Sequence, residues 1–307
     1  MIAWLIYFRD AAIYNKKYIE FYKEEGAKLG IYVKLILVEE LEFGIQDNQW
    51  FLQYQKKTAE RPDFVICRAI YPLLIKQLEY MELPVFNNSF VSEICNDKAK
   101  TYQYLARTGI KMIDTNFFKN EQIGQILSEV KNPTVIKAVE GHGGNQVFLV
   151  TPSEVELTTA ACEAEEDMEN YNSIKKRNNI KCGIGHSDLV VQPLIGNKHQ
   201  DLRVYVIGKE IVAAVLRTAK EGFKANFSLG GEVCLYQLSQ EERAIVETIM
   251  EQFDFGLVGI DFIIGNEGEL IFNEIEDVVG SRMLYQCSDI NIVERYLNFI
   301  RVRLSND

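Results

Sequence analysis

The sequence predicts a mixed protein in which a small α/β layer is followed by two α+β lobes. Three observations predict this: strands alternate with helices over the first 92 residues, strands flank a glycine-rich turn in the middle of the chain, and the last third is strand-rich. With 307 residues, the chain exceeds one typical core, and we expect about two or three domains.

Composition and charge exclude several classes of function. The 33 Lys and Arg residues against 44 Asp and Glu give a net charge of -11, which argues against nucleic-acid or anionic-membrane binding through bulk charge. The six cysteines have no paired spacing typical of zinc or redox motifs. The apolar opening is too short for a signal peptide, and no window approaches the length of a membrane span. We therefore expect a cytoplasmic protein.

Residues 1–92 are predicted to form the first domain. An apolar strand at the start, a helix over 10–29 and the segments "IYVKLILV", "PDFVICRA" and "LPVFNN" alternate as in a parallel open sheet. The domain resembles a small Rossmann-like layer. It carries no glycine-rich fingerprint, so nucleotide binding is not predicted there.

The second lobe is predicted over 93–192 and includes a helix over about 152–178. A helix begins after Asp97 in "DKAKTYQYLARTGI" and stops near Gly109. Further along, Lys137 lies inside the apolar strand "TVIKAV", and the turn "EGHGGN" joins it to the strand "QVFLV". Glycines allow backbone N–H groups to approach an anion closely, so this hairpin is suited to phosphate. The alternative is a tight hairpin whose lysine reaches out to solvent.

The third lobe, predicted over 193–307, carries an N-capped helix after Ser239 and a hairpin with three acids. Asp261 is the only charge in "LVGIDFII", and Glu274 and Glu276 lie two residues apart in "IFNEIE", where side chains point the same way. With an even-numbered loop, Asp261 would pair near 272 or 274, and all three carboxylates would share one side of the sheet.

Three such anions in a partly apolar setting repel one another and lose solvation. A divalent cation with oxygen ligands, of which Mg²⁺ is typical, would offset that cost. An exposed sheet face with scattered acids is the alternative. The predicted faces also carry apolar residues: Leu257, Gly259, Ile263, Leu270 and Phe272.

From about Asp97 onward, the chain resembles the ATP-grasp superfamily, most closely its RimK-like branch of ribosomal-protein glutamate ligases and related peptide ligases. The resemblance covers some two hundred residues and rests on an ordered set of motifs: "NDKAKTYQYLARTGI", "VIKAVEGHGGNQV", "VVQPLI", "QDLRVYVIGKEIVAAVLRTA", "FKANFSLGG", "GLVGIDFI" and "NEIE". It implies the ATP-grasp fold, in which two α+β lobes clamp ATP, preceded here by the Rossmann-like domain.

The resemblance implies an ATP site between the two lobes. Its residues would be Lys98 and Lys137 at the phosphates; Glu140, Gly141, Gly143 and Gly144 in a lid loop; Gln192, Pro193 and Leu194 at the adenine; Asp201 at the ribose; and Lys224 and Asn226 at the triphosphate. The family commonly has an acidic residue where Pro193 stands. Because proline keeps its carbonyl, we expect that acceptor and the Leu194 N–H to hold the adenine.

By the same resemblance, Asp261, Glu274 and Glu276 match the metal positions, for one or two Mg²⁺ ions that Mn²⁺ could replace. The family pattern there is Glu, any residue, Asn, so Glu276 is a departure that adds a negative charge. Arg203 and Arg217 match arginines near the reacting phosphate, with ordinary salt bridges as the alternative.

The loop "DVVGSR" also departs from the family pattern, which has small residues and a proline at this place. In it, Arg282 is a candidate for gripping a substrate carboxylate through two hydrogen bonds, or it caps the local structure.

The reaction implied is that ATP phosphorylates a carboxylate and an amine attacks the acyl phosphate, giving an amide, ADP and phosphate. The substrates would be an amino acid, a peptide or a protein tail, and the oligomeric state is left open. A second hypothesis, motivated by Glu276 and the altered loop, is a nucleotide-binding regulator that has lost ligation. A third is an ATP-grasp kinase or carboxylase-like relative with another acceptor. The acceptor pocket, which would be built from the first domain and the 277–285 loop, would separate these.

Overall fold

The computed structural model describes residues 1–142, 144, 146–152, 168–196, 200–219 and 232–306. Within these ranges, the strands are β1 (Ile2–Tyr7), β2 (Tyr32–Leu37), β3 (Leu41–Gln46), β4 (Gln49–Tyr54), β5 (Lys57–Thr58), β6 (Phe64–Cys67), β7 (Val85–Phe86), β8 (Asn116–Phe118), β9 (Thr134–Ala138), β10 (Val147–Val150), β11 (Leu189–Pro193), β12 (Gln200–Ile207), β13 (Glu210–Thr218), β14 (Glu232–Tyr236), β15 (Leu257–Ile264) and β16 (Leu270–Glu276).

The helices of the same ranges are α1 (Arg9–Tyr14), α2 (Lys16–Lys28), α3 (Pro72–Tyr80), α4 (Ser89–Cys95), α5 (Lys98–Leu105), α6 (Ile123–Glu129), α7 (Met168–Ile184), α8 (Gln240–Glu251), α9 (Arg282–Cys287) and α10 (Ile292–Asn306). None of these helices combines the length and the apolar character needed to cross a bilayer. The predicted helix over 152–178 and the motif at 223–231 lie partly or wholly outside the described residues.

The first sheet is parallel, with the strand order β2-β1-β6-β7. Residues 3–7 of β1 are all buried, as expected for a central strand covered on both faces. The predicted helix over 10–29 is two helices that meet at Asn15, whose side-chain amide donates to the Ala11 carbonyl at 2.9 Å. A separate sheet, β3-β4-β5, lies between β2 and β6 in the chain and was not predicted.

The second sheet has the order β10-β9-β11-β8, and each of its pairs is antiparallel. It packs with α6 and α7 around a core of its own, which includes Leu127, Ile136, Ile184 and Leu189. This lobe therefore has its own apolar centre, separate from the clusters of the other two sheets.

The third sheet is antiparallel, with the order β14-β13-β12-β15-β16. Helix α8 covers one face and begins at Ser239 as predicted. Its capping box is complete: the Ser239 hydroxyl accepts from the Glu242 N–H, and the Glu242 carboxylate accepts from the Ser239 N–H. Helices α4 and α5 pack into the same core.

The first sheet shares a hydrophobic core with the other face of the third sheet. Leu5 of β1 and Ile66 of β6 belong to one buried cluster with Tyr205 of β12, Leu257 of β15 and Leu297 of α10. The first and third units are thus joined by apolar packing, so the cleft of the molecule lies between this joint body and the second lobe.

Candidate active site

The hairpin of β15 and β16 aligns the three acids by means of a β-bulge. Phe262 pairs with Phe272, but Asp261 pairs with Glu274, so Asn273 is an extra residue on β16. The loop 265–269 has an odd number of residues, so the predicted condition of an even loop was wrong. The bulge compensates for it and places Glu274 and Glu276 on the side of Asp261, while Phe272 faces the opposite side and packs in the core with Phe262.

Asp261, Glu274 and Glu276 form a compact group of oxygen ligands. One carboxylate oxygen from each lies within 4.8 Å of the other two. Asp261 is buried, whereas both glutamates are partly exposed. The structure therefore brings the three predicted metal ligands together, and the alternative of acids scattered on an exposed face does not apply.

Two buried arginines hold Asp261. Arg203 lies opposite it on β12 and donates from Nε and Nη2 to its two oxygens, each at 2.7 Å. Arg217 of β13 donates from Nη2 to Asp261 at 2.8 Å and from Nε to Asp201. Arg203 also pairs with Glu276 at 2.7 Å. The salt bridges expected as an alternative role are present, inside the site itself.

Two lysines lie beside the acids, one on α5 and one on β9. Lys98 is the first residue of α5, whose N-cap Asp97 accepts from the Lys100 N–H. Its ammonium lies 3.1 Å from Glu274 and donates to the Gly141 carbonyl. Lys137 of β9 is buried and donates to Asn273 Oδ1 at 2.8 Å. Lys137 therefore does not reach solvent, which was the alternative for it, and instead lines the cleft.

These contacts shift the pKa of the acids in opposite directions. Burial raises the pKa of Asp261, but Arg203 and Arg217 outweigh it and lower that pKa to about 2. For Asp201, burial raises the pKa, Arg217 lowers it and Asp261 raises it, with a result of about 7. Burial, opposed by Arg203, raises the pKa of Glu276. Asp261 is therefore a fixed anion, while Asp201 changes charge near neutral pH.

The pKa of Lys137 is lowered to about 8. Burial is the main cause, the Glu274 charge opposes it, and the nearby Lys98 charge adds to it. A buried ammonium is stabilised by a neighbouring anion, because the anion offsets the cost of removing its charge from water.

A pocket opens between β9, β11, β12 and β16, beside the acids. Its lining includes Lys98, Lys137, Gly144, Gln192, Pro193, Leu194, Asp201, Asn273 and Glu274. Most of the predicted nucleotide-binding residues that the structure describes therefore share one pocket. Apolar side chains of Ile113, Val135 and Ile263 complete it, as is usual for a small-molecule site.

Directly after β11, one of the two backbone groups expected to bind the adenine already has a partner within the protein. The Leu194 N–H donates to the Pro133 carbonyl at 3.0 Å and is therefore already engaged. Gln192 is buried, and its side-chain amide donates to Thr115 Oγ1 at 2.8 Å. Ile195, the next residue, also lines the pocket.

The predicted lid residues Glu140 and Gly141 differ in burial and in hydrogen bonding. Gly141 is buried and its N–H donates to the Ala138 carbonyl at 3.1 Å, whereas Glu140 is exposed and does not line the pocket. Gly143, Lys224 and Asn226 lie outside the described residues.

Arg282 lies at the junction with the first domain, away from the acids. Its Nη1 donates to the Tyr14 hydroxyl at 2.6 Å, and the guanidinium lies 4.5 Å from the centre of the Tyr14 ring. The residue is exposed and begins α9. It bridges the loop after β16 and the first domain, which is the region predicted to form the acceptor pocket.

Two sets of residues that shape the site were not predicted from the sequence. One is Asn273, whose role depends on the bulge. The other is a buried network in which Asn87 and Asn96 donate to the two oxygens of Asp277 at 2.6 and 2.9 Å. Asp277 lies more than 180 residues from either asparagine in the chain, so no local sequence pattern could have indicated these hydrogen bonds.

Comparisons with known proteins agree with this geometry. The model of the RimK-like ATP-grasp domain matches residues 95–300. A Legionella pneumophila (strain Corby) protein named "Probable alpha-L-glutamate ligase" is 29% identical over 231 residues, which are 74% of this chain and 70% of the relative.

Two solved structures share the fold over nearly the whole chain. A RimK domain protein ATP-grasp from Sphaerobacter thermophilus superposes with a TM-score of 0.68 at 18% identity, covering 97% of this chain and 99% of that one. The ATP-grasp ligase PsnB, solved with a minimal precursor, superposes with a TM-score of 0.66 at 15% identity, covering 98% of each chain.

The pocket lies between two lobes and combines two lysines with three carboxylates. This arrangement is typical of ATP-grasp ligases, which join a carboxylate to an amine with ATP. The chain belongs to the RimK-like ATP-grasp family. The resemblance predicted from the sequence is confirmed, and the protein is an ATP-dependent carboxylate–amine ligase.

Proposed function

We propose that this ligase activates a carboxylate as an acyl phosphate and transfers the acyl group to the amine of an amino acid or peptide. The observation that carries the proposal is the triad Asp261, Glu274 and Glu276, whose oxygens lie within 4.8 Å of one another beside Lys98 and Lys137. This arrangement supports a triphosphate in the pocket with its terminal phosphate at the acids.

The triad fits a hard divalent cation. All three ligands are carboxylates, the donor type that Mg²⁺ prefers. Lys98 contacts Oε2 of Glu274 and Arg203 contacts Oε1 of Glu276, so each glutamate has a second oxygen for a cation. Mg²⁺ bound there would reduce the charge on the terminal phosphate. The number of ions and replacement by Mn²⁺ stay predictions.

The basic residues would bind and orient the phosphates. Lys137 and Lys98 line the pocket beside the acids, and Arg203 and Arg217 pair with Asp261 on the third sheet. Fixed positive groups around a transferring phosphoryl stabilise the charge that develops on it. At the other end of the pocket, the Pro193 carbonyl and the Ile195 N–H replace the expected pair for the adenine, because the Leu194 N–H is engaged.

Names of similar proteins support the substrate class. The curated relative is named a glutamate ligase, and a further PsnB structure contains a precursor peptide. We therefore propose an amino acid as the amine substrate. A cytoplasmic location, predicted from the scattered cysteines, and the oligomeric state both stay untested.

Phosphate release from ATP tests this function. We expect release that depends on both Mg²⁺ and an amine, measured over panels of carboxylates and the 20 standard L-amino acids. Glu274→Gln should lower kcat/KM by roughly 100-fold or more, because it removes a ligand and charge at the reacting phosphate. The control is Glu269→Gln, which changes a carboxylate of the same hairpin that pairs with Lys111 outside the pocket.

Binding of ATP without amine-dependent release over the whole panel would contradict ligation. That result would instead favour the regulator motivated by Glu276 and the altered loop. Equal losses in Glu274→Gln and Glu269→Gln would contradict the assignment of the metal site.

A further inference from the structure

The first sheet has a topological switch point between β1 and β6. In the order β2-β1-β6-β7, the chain passes from β1 to β2 on one side and later enters β6 on the other. Open parallel sheets bind ligands in the crevice that such a reversal leaves at the carboxyl ends of the strands. Tyr7 is the last residue of β1, and Arg68 directly follows β6.

Arg68 brings a positive charge to this end of the sheet, where the buried Asp277 interacts with it electrostatically but forms no salt bridge with it. Its Nη2 donates to the Val279 carbonyl at 2.9 Å, and its guanidinium lies 5.4 Å from the centre of the Tyr18 ring. Among the described residues it forms no salt bridge, and its buried Nε has no hydrogen-bond partner. A charge removed from water in this way is costly, and a bound anion would offset the cost.

Two tyrosine hydroxyls beside Arg68 are also unsatisfied. Tyr7 and Tyr22 are at most 1% exposed, and both interact electrostatically with Arg68. The Tyr7 hydroxyl lies beside the Arg68 guanidinium, which only donates, so neither hydroxyl has an acceptor for its proton within the described part of the chain. Burial raises the pKa of both, so they stay neutral and able to donate at neutral pH. One guanidinium with two neutral donors matches one negative charge, which suits a carboxylate better than a doubly charged phosphate.

The crevice and the carboxylate triad lie along one wall. The loop 277–281 begins after Glu276, and Val279 packs on Gly259 beside the Arg203 side chain. The carbonyl of this same Val279 accepts from Arg68. The loop is fixed to the other elements as well, since the Tyr205 hydroxyl donates to the Gly280 carbonyl at 2.9 Å.

We propose that Arg68, with the hydroxyls of Tyr7 and Tyr22, binds the α-carboxylate of the amino acid whose amine is ligated. This rests on the proposed function and assigns its amine-substrate site to the first domain. The carboxylate does not react there. Its binding orients the amino group along the wall toward the triad, so Arg68 determines specificity for a free acid.

Ligand-induced stabilisation tests the site without turnover. With ADP and Mg²⁺ present, the melting temperature is measured with each of the 20 standard L-amino acids and with its α-carboxamide. We expect at least one acid to stabilise the wild type and its carboxamide not to do so, with the effect lost in Arg68→Met. The control Arg61→Met, an exposed arginine that also donates to a backbone carbonyl, should keep it.

Three results would overturn the inference: no acid stabilises the wild type, a carboxamide does so equally well, or Arg68→Met responds like the wild type. Arg68 also donates to the Val279 carbonyl, so its substitution can affect folding as well as binding. A second pair of variants separates the two effects. Tyr7→Phe and Tyr22→Phe each remove an unsatisfied buried hydroxyl, so thermal stability should be kept or increased. Their KM for the amino acid should still rise several-fold, with the KM for ATP unchanged, and an unchanged KM for the amino acid contradicts the site.

Phosphate release separates this inference from the proposed function. In Arg68→Met, the KM for the amino acid should rise by roughly 30-fold or more, as for loss of a buried charge-assisted pair. Amino-acid-dependent release with an unaltered KM in this variant would overturn the site and leave ligation standing. Arg68-dependent binding of an acid without amine-dependent release would overturn ligation and leave the site standing.

Discussion

At the residue scale, the cleft contains a balanced set of buried and partly buried charges. Four bases face four acids in it: Lys98, Lys137, Arg203 and Arg217 against Asp201, Asp261, Glu274 and Glu276. Removing one member of such a set leaves a partner uncompensated, at a cost of roughly 3–5 kcal/mol. These side chains therefore determine both stability and ligand binding, and useful tests separate the two effects.

Lys137 allows such a separation through pH. Its pKa of about 8 in the folded protein is below the ordinary value of 10.5, so the folded state loses this proton first as pH rises. Between pH 8 and 10.5 the unfolded state binds more protons, and the group's contribution to the free energy of unfolding rises by about 3 kcal/mol. We expect the wild type to gain this stability relative to Lys137→Met, measured by urea denaturation from pH 7 to 10.5.

The same group predicts a fall in kcat/KM for ATP above pH 8, because the free enzyme then loses a charge that we propose to bind phosphate. Lys111→Met is the control: Lys111 is exposed and pairs with Glu269 outside the pocket. A stability difference for Lys137→Met that does not change with pH would show that its ammonium is not desolvated.

At the element scale, a single extra residue in β16 determines where the acids point. The odd loop 265–269 would otherwise align Asp261 with Asn273. The bulge at Asn273 restores the alignment with Glu274 and adds a cleft-facing amide that accepts from Lys137. The odd-numbered loop and the bulge each shift the register by one residue, and together they align Asp261 with Glu274.

Deleting Asn273 should therefore be tolerated. The pairs Phe262 with Phe272 and Asp261 with Glu274 can then form in a regular ladder, with the acids still aligned. We expect a loss of about 1–3 kcal/mol, mainly from the Lys137 hydrogen bond, with Mg²⁺-dependent binding of an ATP analogue retained in calorimetry.

The matched control deletes Ile275, two residues further along the same strand. Ile275 is buried in the core, and its loss would turn Glu276 toward that core. This variant should lose Mg²⁺-dependent binding and most of its stability. Equal behaviour of the two deletions would contradict the assigned register.

At the scale of the whole molecule, packing divides the protein into two bodies. The first sheet, the third sheet and α10 share one cluster, which contains Leu5 and Leu297, while the second lobe packs around Leu127 and its neighbours. Bodies with separate cores can open independently, whereas elements of one core unfold together. The nucleotide pocket lies where the two bodies meet.

Native-state hydrogen exchange tests this division. Leu5→Ala and Leu297→Ala each remove a fully buried side chain and should each lower protection in both β1 and β12 by about 2–5 kcal/mol. Leu127→Ala, equally conservative and also buried, should lower protection in β9 and β11 only. Loss of protection confined to β1 in the Leu5→Ala variant would contradict the shared core.

The sequence by itself determined the family and predicted which residues line the pocket. Lys98, Lys137 and the three acids carry recognisable local signals, since a charge inside an apolar strand and two acids in alternation are visible in a short segment. The capped helix after Ser239 is equally local, and the structure confirms it.

Only the tertiary structure decided the contacts between distant segments. The bulge at Asn273, the pairing of Arg203 and Arg217 with Asp261, and the position of Arg68 beside Tyr7 depend on strand order and register. Neighbours in space that are tens or hundreds of residues apart in the chain leave no periodic pattern in the sequence. The physical reason is that packing of the whole core selects register, and register then determines which charges meet.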